Sequence, residues 1–419
     1  METRNFDEAA AQILCALPER AIDLARLKAL NQAMLTPTIT VIGKYNHGKS
    51  RLLNELIGHD VFTVADRRET VALNEHQYEQ VNWLDAPGLD ADVGGQDDHL
   101  AQQALWCKSD IRLFVHSVKE GELDAAEHPL LQQLHQDLQR SQRQTLVVLT
   151  QIDQVPDQTV LTQVLESIKQ QIPAFNLLPV SATRHRQGVE GNKQLLLQKS
   201  GFTELHQALD HALAQVPQAR IHEKALLFTE IRQQLTQLQN TEQQSLEQLK
   251  QHQQNQREAF DRDLNKTLDK VRVDLQPTLA HREHDDALVP DSFENMFKMT
   301  AGKQERARIQ VAYSHACLDL DSHLIRYGVT GLPIEQQTQV RSINTVMIAV
   351  MGVSVKSRHD LRKIFEEQSG CDRLCREFAH YFEASPDRQA LVKNIEDTTA
   401  QVAMYAQALA ALKNLEDEA

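Results

Sequence analysis

The sequence predicts an α/β fold: a doubly wound domain with a phosphate-binding loop, followed by a long α-helical stalk. Three observations carry this. Between residues 38 and 183, short apolar runs alternate with stretches of helical spacing. The first run leads into Gly43-Lys44-Tyr45-Asn46-His47-Gly48-Lys49-Ser50, and Arg51 opens a helical pattern. Residues 220–276 contain neither Gly nor Pro and repeat apolar side chains at heptad spacing. The expected organisation is an N-terminal helical segment (1–35) packing on the helical bundle, a nucleotide domain (36–217) and a helical stalk (218–419). The stalk carries a tip at about 281–385.

The 419 residues carry 44 basic and 58 acidic side chains, a formal charge of −14. An extended nucleic-acid surface needs basic charge, so nucleic acid is not an expected partner. Five scattered cysteines suit a reduced compartment. The N-terminus has acids and no apolar core, so no signal peptide is expected. The longest strongly apolar stretch, 346–355, has ten residues, against about 20 for a spanning helix. A cytoplasmic protein, or one peripheral at a membrane, is the reading. Scarce aromatics and abundant glutamine after residue 230 favour long solvated helices over a second compact core.

Residues 6–33 read as a helix, a break at Pro18 and a second helix. Strands are predicted at 38–42, 71–78, 80–84, 111–118, 145–149 and 175–180. Helices are predicted at 51–57, 121–142, 157–172 and 202–215, the last ended by Pro217. Beyond it, Ile221, Phe228, Ile231, Leu235 and Leu238 form one heptad series. A helix over 220–276 would be about 80 Å long. Leu391, Ile395, Val402, Tyr405, Leu409 and Leu412 form a second series, so the two are expected to pair as an antiparallel stalk.

The chemistry gathers at the carboxyl ends of the strands, where open α/β sheets bind ligands. Gly43 and Gly48 let the backbone curl so that its N–H groups face an anion, with a helix N-terminus beside them. Lys49 is expected on the β- and γ-phosphates and the Ser50 hydroxyl on Mg²⁺. Asp85 ends a buried strand and would hold Mg²⁺ through a water. Gly88 would point its amide at the γ-phosphate. The acidic run 89–98 is expected to order only around a γ-phosphate. Thr150-Gln151-Ile152-Asp153 and Ser181-Ala182-Thr183 arrive at the same edge.

In order and spacing these motifs resemble translation-factor-class GTPases, and within that class the Era and dynamin groups. Asn46 and the run Gly48-Lys49-Ser50-Arg51-Leu52-Leu53-Asn54-Glu55-Leu56 resemble both. An N-terminal helix before the loop and a long helical region after the domain look most like bacterial dynamin-like GTPases. The resemblance implies a guanine-nucleotide site made of Gly43, Asn46, His47, Gly48, Lys49, Ser50, Arg51, Asp85, Gly88, Thr150, Gln151, Asp153, Ser181 and Ala182. It implies Mg²⁺ held by Ser50, Thr70 and Asp85. Thr70 is read as the switch I threonine from its spacing before Asp85, with Thr63 its rival. Asp153 would accept the guanine N1–H and amino hydrogens, and the Ala182 amide would reach O6. Lys49, Ser50, Thr70 and Asn46 would carry catalysis. Asn46 matches an asparagine that helps coordinate K⁺ in cation-activated relatives, which keeps K⁺ stimulation open.

Three residues depart from the family pattern. Gln151 stands where a lysine is usual, Leu89 where a water-orienting glutamine is found in other members, and Thr183 where lysine is commoner. Intrinsic turnover is therefore expected to be slow. Two readings follow: a GTPase that self-assembles through its nucleotide domain and moves a stalk, or an Era-like switch whose helical arm binds a protein. A degenerate, non-hydrolysing domain is a third.

Elsewhere, residues 346–351 beside Lys356, Arg358, Arg362 and Lys363 suit either a shallow membrane-insertion tip or a buried helix, and the buried helix is preferred. Cys371, Cys375 and His380 lack a second Cys pair and read as packing residues. The run 281–286 and the pair Arg67-Arg68 read as solvated loops.

Overall fold

The computed structural model describes residues 2–32, 36–62, 74–86, 102–155, 157–280, 285–290, 292–293 and 297–418. It divides into two units, residues 1–238 with 404–419, and residues 239–403.

The first unit is built on a sheet of six strands: β1 (Thr38–Gly43), β2 (Asn74–Tyr78), β3 (Val81–Asp85), β4 (Ile111–Ser117), β5 (Gln144–Thr150) and β6 (Leu177–Pro179), in the order β2-β3-β1-β4-β5-β6. All neighbours are parallel except the edge pair β2 and β3. That pair is a hairpin in which Tyr78 opposes Val81. Its two turn residues, Glu79 and Gln80, both have positive φ, as a tight primed turn requires.

β4 is buried at all seven positions, as befits a strand covered on both faces. Its side chains alternate. Ile111, Leu113 and Val115 join a cluster with Leu52, Leu53, Phe202 and Leu205, while Phe114 joins Leu131, Leu134, Leu161 and Ile168. The helix predicted from residue 121 begins later, at Glu127–Ser141. The Asp124 carboxylate accepts from the Ala126 and Glu127 amides and fixes that start.

A larger difference lies at Pro217. The predicted closing helix does not stop there but runs unbroken as Phe202–Leu279, through Pro277 as well. An internal proline costs a helix about 3 kcal/mol. Around it, buried Ala212, Val216 and Ala219 and the Arg220–Asp110 ion pair supply tertiary contacts that outweigh the local penalty. Ile221 also departs from the heptad reading, being 64% exposed. Phe228, Ile231 and Leu235 are buried with Ile13, Leu17, Leu24 and Leu27 of the N-terminal segment and Ala408, Ala411 and Leu412 of the C-terminal helix Pro386–Asp417.

A buried charge network ties these parts together. Arg26 meets Glu223 at 2.8 Å and Asp110 at 3.0 Å. Asp110 also accepts from the Thr38 amide, at the start of β1. Burial pushes the Asp110 carboxyl up, but Arg220 and Arg26 outweigh it and hold it below the ordinary range.

In the second unit, Phe260 and Phe382 stack at 4.3 Å inside a core with Leu320, Leu324, Leu361 and Phe378. The helix Val346–Met351 buries Val346, Met347, Val350 and Met351 in that core. Cys371 is buried and Cys375 half-buried; the Cys371 thiol donates to the Phe365 carbonyl. No helix among the described residues is long and apolar enough to cross a membrane.

Two outcomes are expected of Arg26→Ala. Chemical denaturation should show a loss of about 3 kcal/mol, near the low end for breaking a buried pair, because Arg220 and Arg143 still reach the stranded carboxylates. The Asp110 share of stability is present above the ordinary carboxylate pKa and is lost as pH falls through its depressed folded value. Arg26→Ala should therefore flatten the acid limb of a stability-versus-pH curve.

Candidate nucleotide-binding site

β1 delivers its last residue, Gly43, against β4. A Cβ there would lie 2.2 Å from the Val115 carbonyl oxygen, so only glycine fits. Gly48 takes a left-handed conformation (φ +82) and starts the helix Lys49–Ile57. Between them Asn46 also has positive φ, at 61°. These turns form the curled loop predicted from the glycine spacing.

Three side chains lock the loop. The Lys49 ammonium donates to the Gly43 and Lys44 carbonyls, each at 3.0 Å. The Thr150 hydroxyl donates to the His47 carbonyl at 2.6 Å. Gln151 Nε2 donates to the Asn46 carbonyl at 2.8 Å, while its Oε1 accepts from the Ser117 hydroxyl at 2.8 Å. Gln151 thus ties β4 and β5 to the loop through a neutral amide.

The Ser50 hydroxyl donates to Asp85 Oδ2 at 2.8 Å, and the buried Asp85 Oδ1 has no hydrogen-bond partner among the described residues. Burial raises the Asp85 carboxyl above its ordinary range, opposed by the Ser50 hydrogen bond and the Lys49 charge. An orphaned carboxylate oxygen beside a serine hydroxyl fits a hydrated Mg²⁺. Across the loop the Ser181 hydroxyl donates to Asp153 Oδ1 at 2.5 Å and accepts from the Arg184 amide. Ser181 caps the helix Ala182–Glu190 and holds the Asp153 carboxylate.

Most predicted residues therefore converge on one edge: Gly43, Asn46, Gly48, Lys49, Ser50, Asp85, Thr150, Gln151, Asp153, Ser181 and Ala182. Two are placed differently from what their role suggests. The Arg51 side chain is exposed. The His47 ring is fully buried beneath the loop, so only its backbone faces the ligand side. Thr63, Arg67, Arg68, Thr70, Gly88, Leu89 and the run 89–98 lie outside the described residues. Sequence reading passed over Ser117 and His116, although polar residues inside so apolar a strand are themselves a signal.

Residues 38–151 match the family described as 50S ribosome-binding GTPase. An uncharacterized protein of Acinetobacter baylyi is 55% identical over 419 residues, covering the whole of both chains. The chain belongs to the family of that Acinetobacter protein. Its nucleotide domain is a GTP-binding P-loop GTPase domain. The GTPase Era of Bordetella petrii is 28% identical over 163 residues, 38% of this chain and 53% of Era. The chain thus spans about half the length of the Era proteins it matches. A structure of an oligomerised bacterial dynamin pair is similar over 99% of this chain and 78% of that one, at 16% identity and TM-score 0.38.

Gln151→Ala removes the hydrogen bond to the Asn46 carbonyl of the loop and the one from Ser117 of β4, leaving the Thr150 contact in place. GDP affinity, read with a fluorescent analogue, should fall about five- to tenfold, on the order of 1 kcal/mol. Unfolding of the domain should be nearly unchanged.

Proposed function

We propose that this protein hydrolyses GTP in a domain that self-associates, and that the nucleotide state is passed to the helices packed on it. The observation that supports hydrolysis is the Ser50–Asp85 pair with its orphaned oxygen, set beside Lys49 at the head of the loop. Lys49 would release its two carbonyl contacts to meet the β- and γ-phosphates. Asp153, held by Ser181, would accept the guanine N1–H and amino hydrogens, a pattern adenine cannot offer. Mg²⁺, when bound, neutralises charge developing on the phosphate oxygens. Ser50 and Asp85 would hold it, with Thr70 as the proposed switch residue. Leu89 offers no group to orient water, so a partner domain would complete the site.

The route to the helices is supported by the turn Gln103–Lys108, which is π-helical, with the Ser109 amide bonding back to the Ala104 carbonyl. Such turns are rare and frequent at functional sites. It follows the Asp85–Gly88 motif in the chain. Arg143 grips its Trp106 carbonyl at 2.9 Å and Arg26 its Cys107 carbonyl at 3.2 Å. Both arginines pair with Glu223 of the long helix. A shift of this turn would pull on Glu223 directly.

The Era-like reading, a switch whose arm binds a protein, is favoured by a different observation. Phe293, Phe297 and Met299 are 88%, 94% and 72% exposed in the helical unit.

GTP hydrolysis measured against protein concentration, in K⁺ and in Na⁺, separates the readings, with Lys49→Ala as the inactive blank. Specific activity that climbs with concentration is the expected result. A flat, slow, Lys49-dependent rate would favour the switch, and a rate equal to the blank would leave a binding domain only. For the coupling, Trp83→Phe leaves Trp106 as the single tryptophan. Its emission should differ between GDP and a non-hydrolysable GTP analogue, and identical spectra would sink the proposed route.

A further inference from the structure

Behind the phosphate loop lies a buried group that nucleotide binding does not use. The His47 and His116 rings meet edge to face, with centroids 5.1 Å apart and an interplanar angle of 89°. Both are essentially inaccessible, as is the Glu127 carboxylate beside them. Glu127 Oε1 lies 2.9 Å from His116 Nδ1 and 3.8 Å from His47 Nδ1. One donor atom from each of the three residues falls within 4.8 Å of the others.

We propose that His47, His116 and Glu127 form a binding site for a divalent first-row transition ion of zinc's ligand preference, pinning the phosphate loop to β4. Two imidazole nitrogens and a carboxylate oxygen are a zinc donor set. In a tetrahedral site with bonds of about 2.0 Å, donors sit about 3.3 Å apart, and the two Glu127 distances bracket that value. The Val115 carbonyl oxygen lies 3.2 Å from His47 Nδ1.

The surroundings match what metal-bound histidines have. His116 Nε2 faces the Gly121 carbonyl at 3.0 Å, and His47 Nε2 faces the Glu120 carboxylate at 3.0 Å. The His116 contact is the kind that orients a ligating imidazole, whereas His47 Nε2 makes no aligned hydrogen bond among the described residues.

The electrostatic surroundings of the two rings are acidic. The charged neighbours are Glu120, Glu127 and Asp124, with Lys44 bonded to Asp124 and 3.9 Å from Glu127 Oε2. Glu127 is buried, whereas Glu120 and Asp124 are 48% and 44% exposed, so these surroundings favour a cation without fixing its charge. This is separate from the Ser50–Asp85 site, whose donors are oxygens only.

The test uses the full chain without a polyhistidine tag and without nucleotide, stripped with chelator and then given Zn²⁺ or Co²⁺. Wild type should retain one Zn²⁺ per chain through gel filtration by elemental analysis, and His116→Gln and Glu127→Gln should retain none. The Co²⁺ form of wild type should show the intense visible absorption of a tetrahedral site. Equal zinc in wild type and both folded variants would overturn the proposal. So would a weak, octahedral Co²⁺ spectrum in wild type, which needs no variant to fold.

Discussion

The carbonyl of Val115 is the point on which the nucleotide end of this molecule depends. It crowds the position where a Cβ on Gly43 would lie, at 2.2 Å, and it faces His47 at 3.2 Å. β1 and β4 must approach this closely for the loop after Gly43 to turn back over the sheet. Gly43 cannot take another residue without parting the two central strands. From this contact the loop curls through Asn46 and Gly48, and Thr150 and Gln151 fasten it to β5. The Ser50–Asp85 pair is held between β3 and the helix that the loop starts.

At the other end of the same strands the constraint is charge. Asp110 precedes β4 and accepts from the first amide of β1, and two arginines from distant parts of the chain converge on it. Buried ion pairs gain little net stability, because desolvation offsets most of the attraction. What they do here is fix position. Arg26, Arg143 and Arg220 can each meet their partners in only one docking of the N-terminal helices, the π-helical turn and the long helix on the sheet. Both ends of β4 are therefore tied to elements outside the sheet.

The helical unit follows different rules. Its core is aromatic at one level, where Phe260 stacks on Phe382 and Tyr327 meets Phe260 edge-on. Tyr313, Phe365 and Phe378 lie buried among the aliphatic side chains of the same core. The long glutamine-rich helix faces are solvated and contribute hydrogen bonds at i to i+4 spacing, such as Gln254 to Glu258. Apolar residues beside cations at 346–363 fit a membrane tip by composition alone, yet Val346, Met347, Val350 and Met351 are inside. Phe293, Phe297 and Met299 are among the exposed apolar side chains of this unit, as is Val353.

The sequence by itself determined the elements whose conformation is encoded locally. The loop at 43–50 was legible because glycines at fixed spacing leave the backbone few alternatives. The buried strands were legible because uninterrupted apolar runs bounded by turns have nowhere else to go. Asp85, Asp153 and Ser181 were legible because they sit at strand ends, where open sheets place their chemistry. Tertiary structure decided the rest. A helix passes through Pro217 because packing of Val216 and Ala219 and the Arg220–Asp110 pair outweigh a local penalty of about 3 kcal/mol. Ile221 lies outside the bundle although its spacing suits it. His47 turns inward to meet His116 and Glu127, residues 69 and 80 positions away by their numbers. Each of these outcomes is set by contacts between segments far apart in the chain, and local pattern carries no record of them.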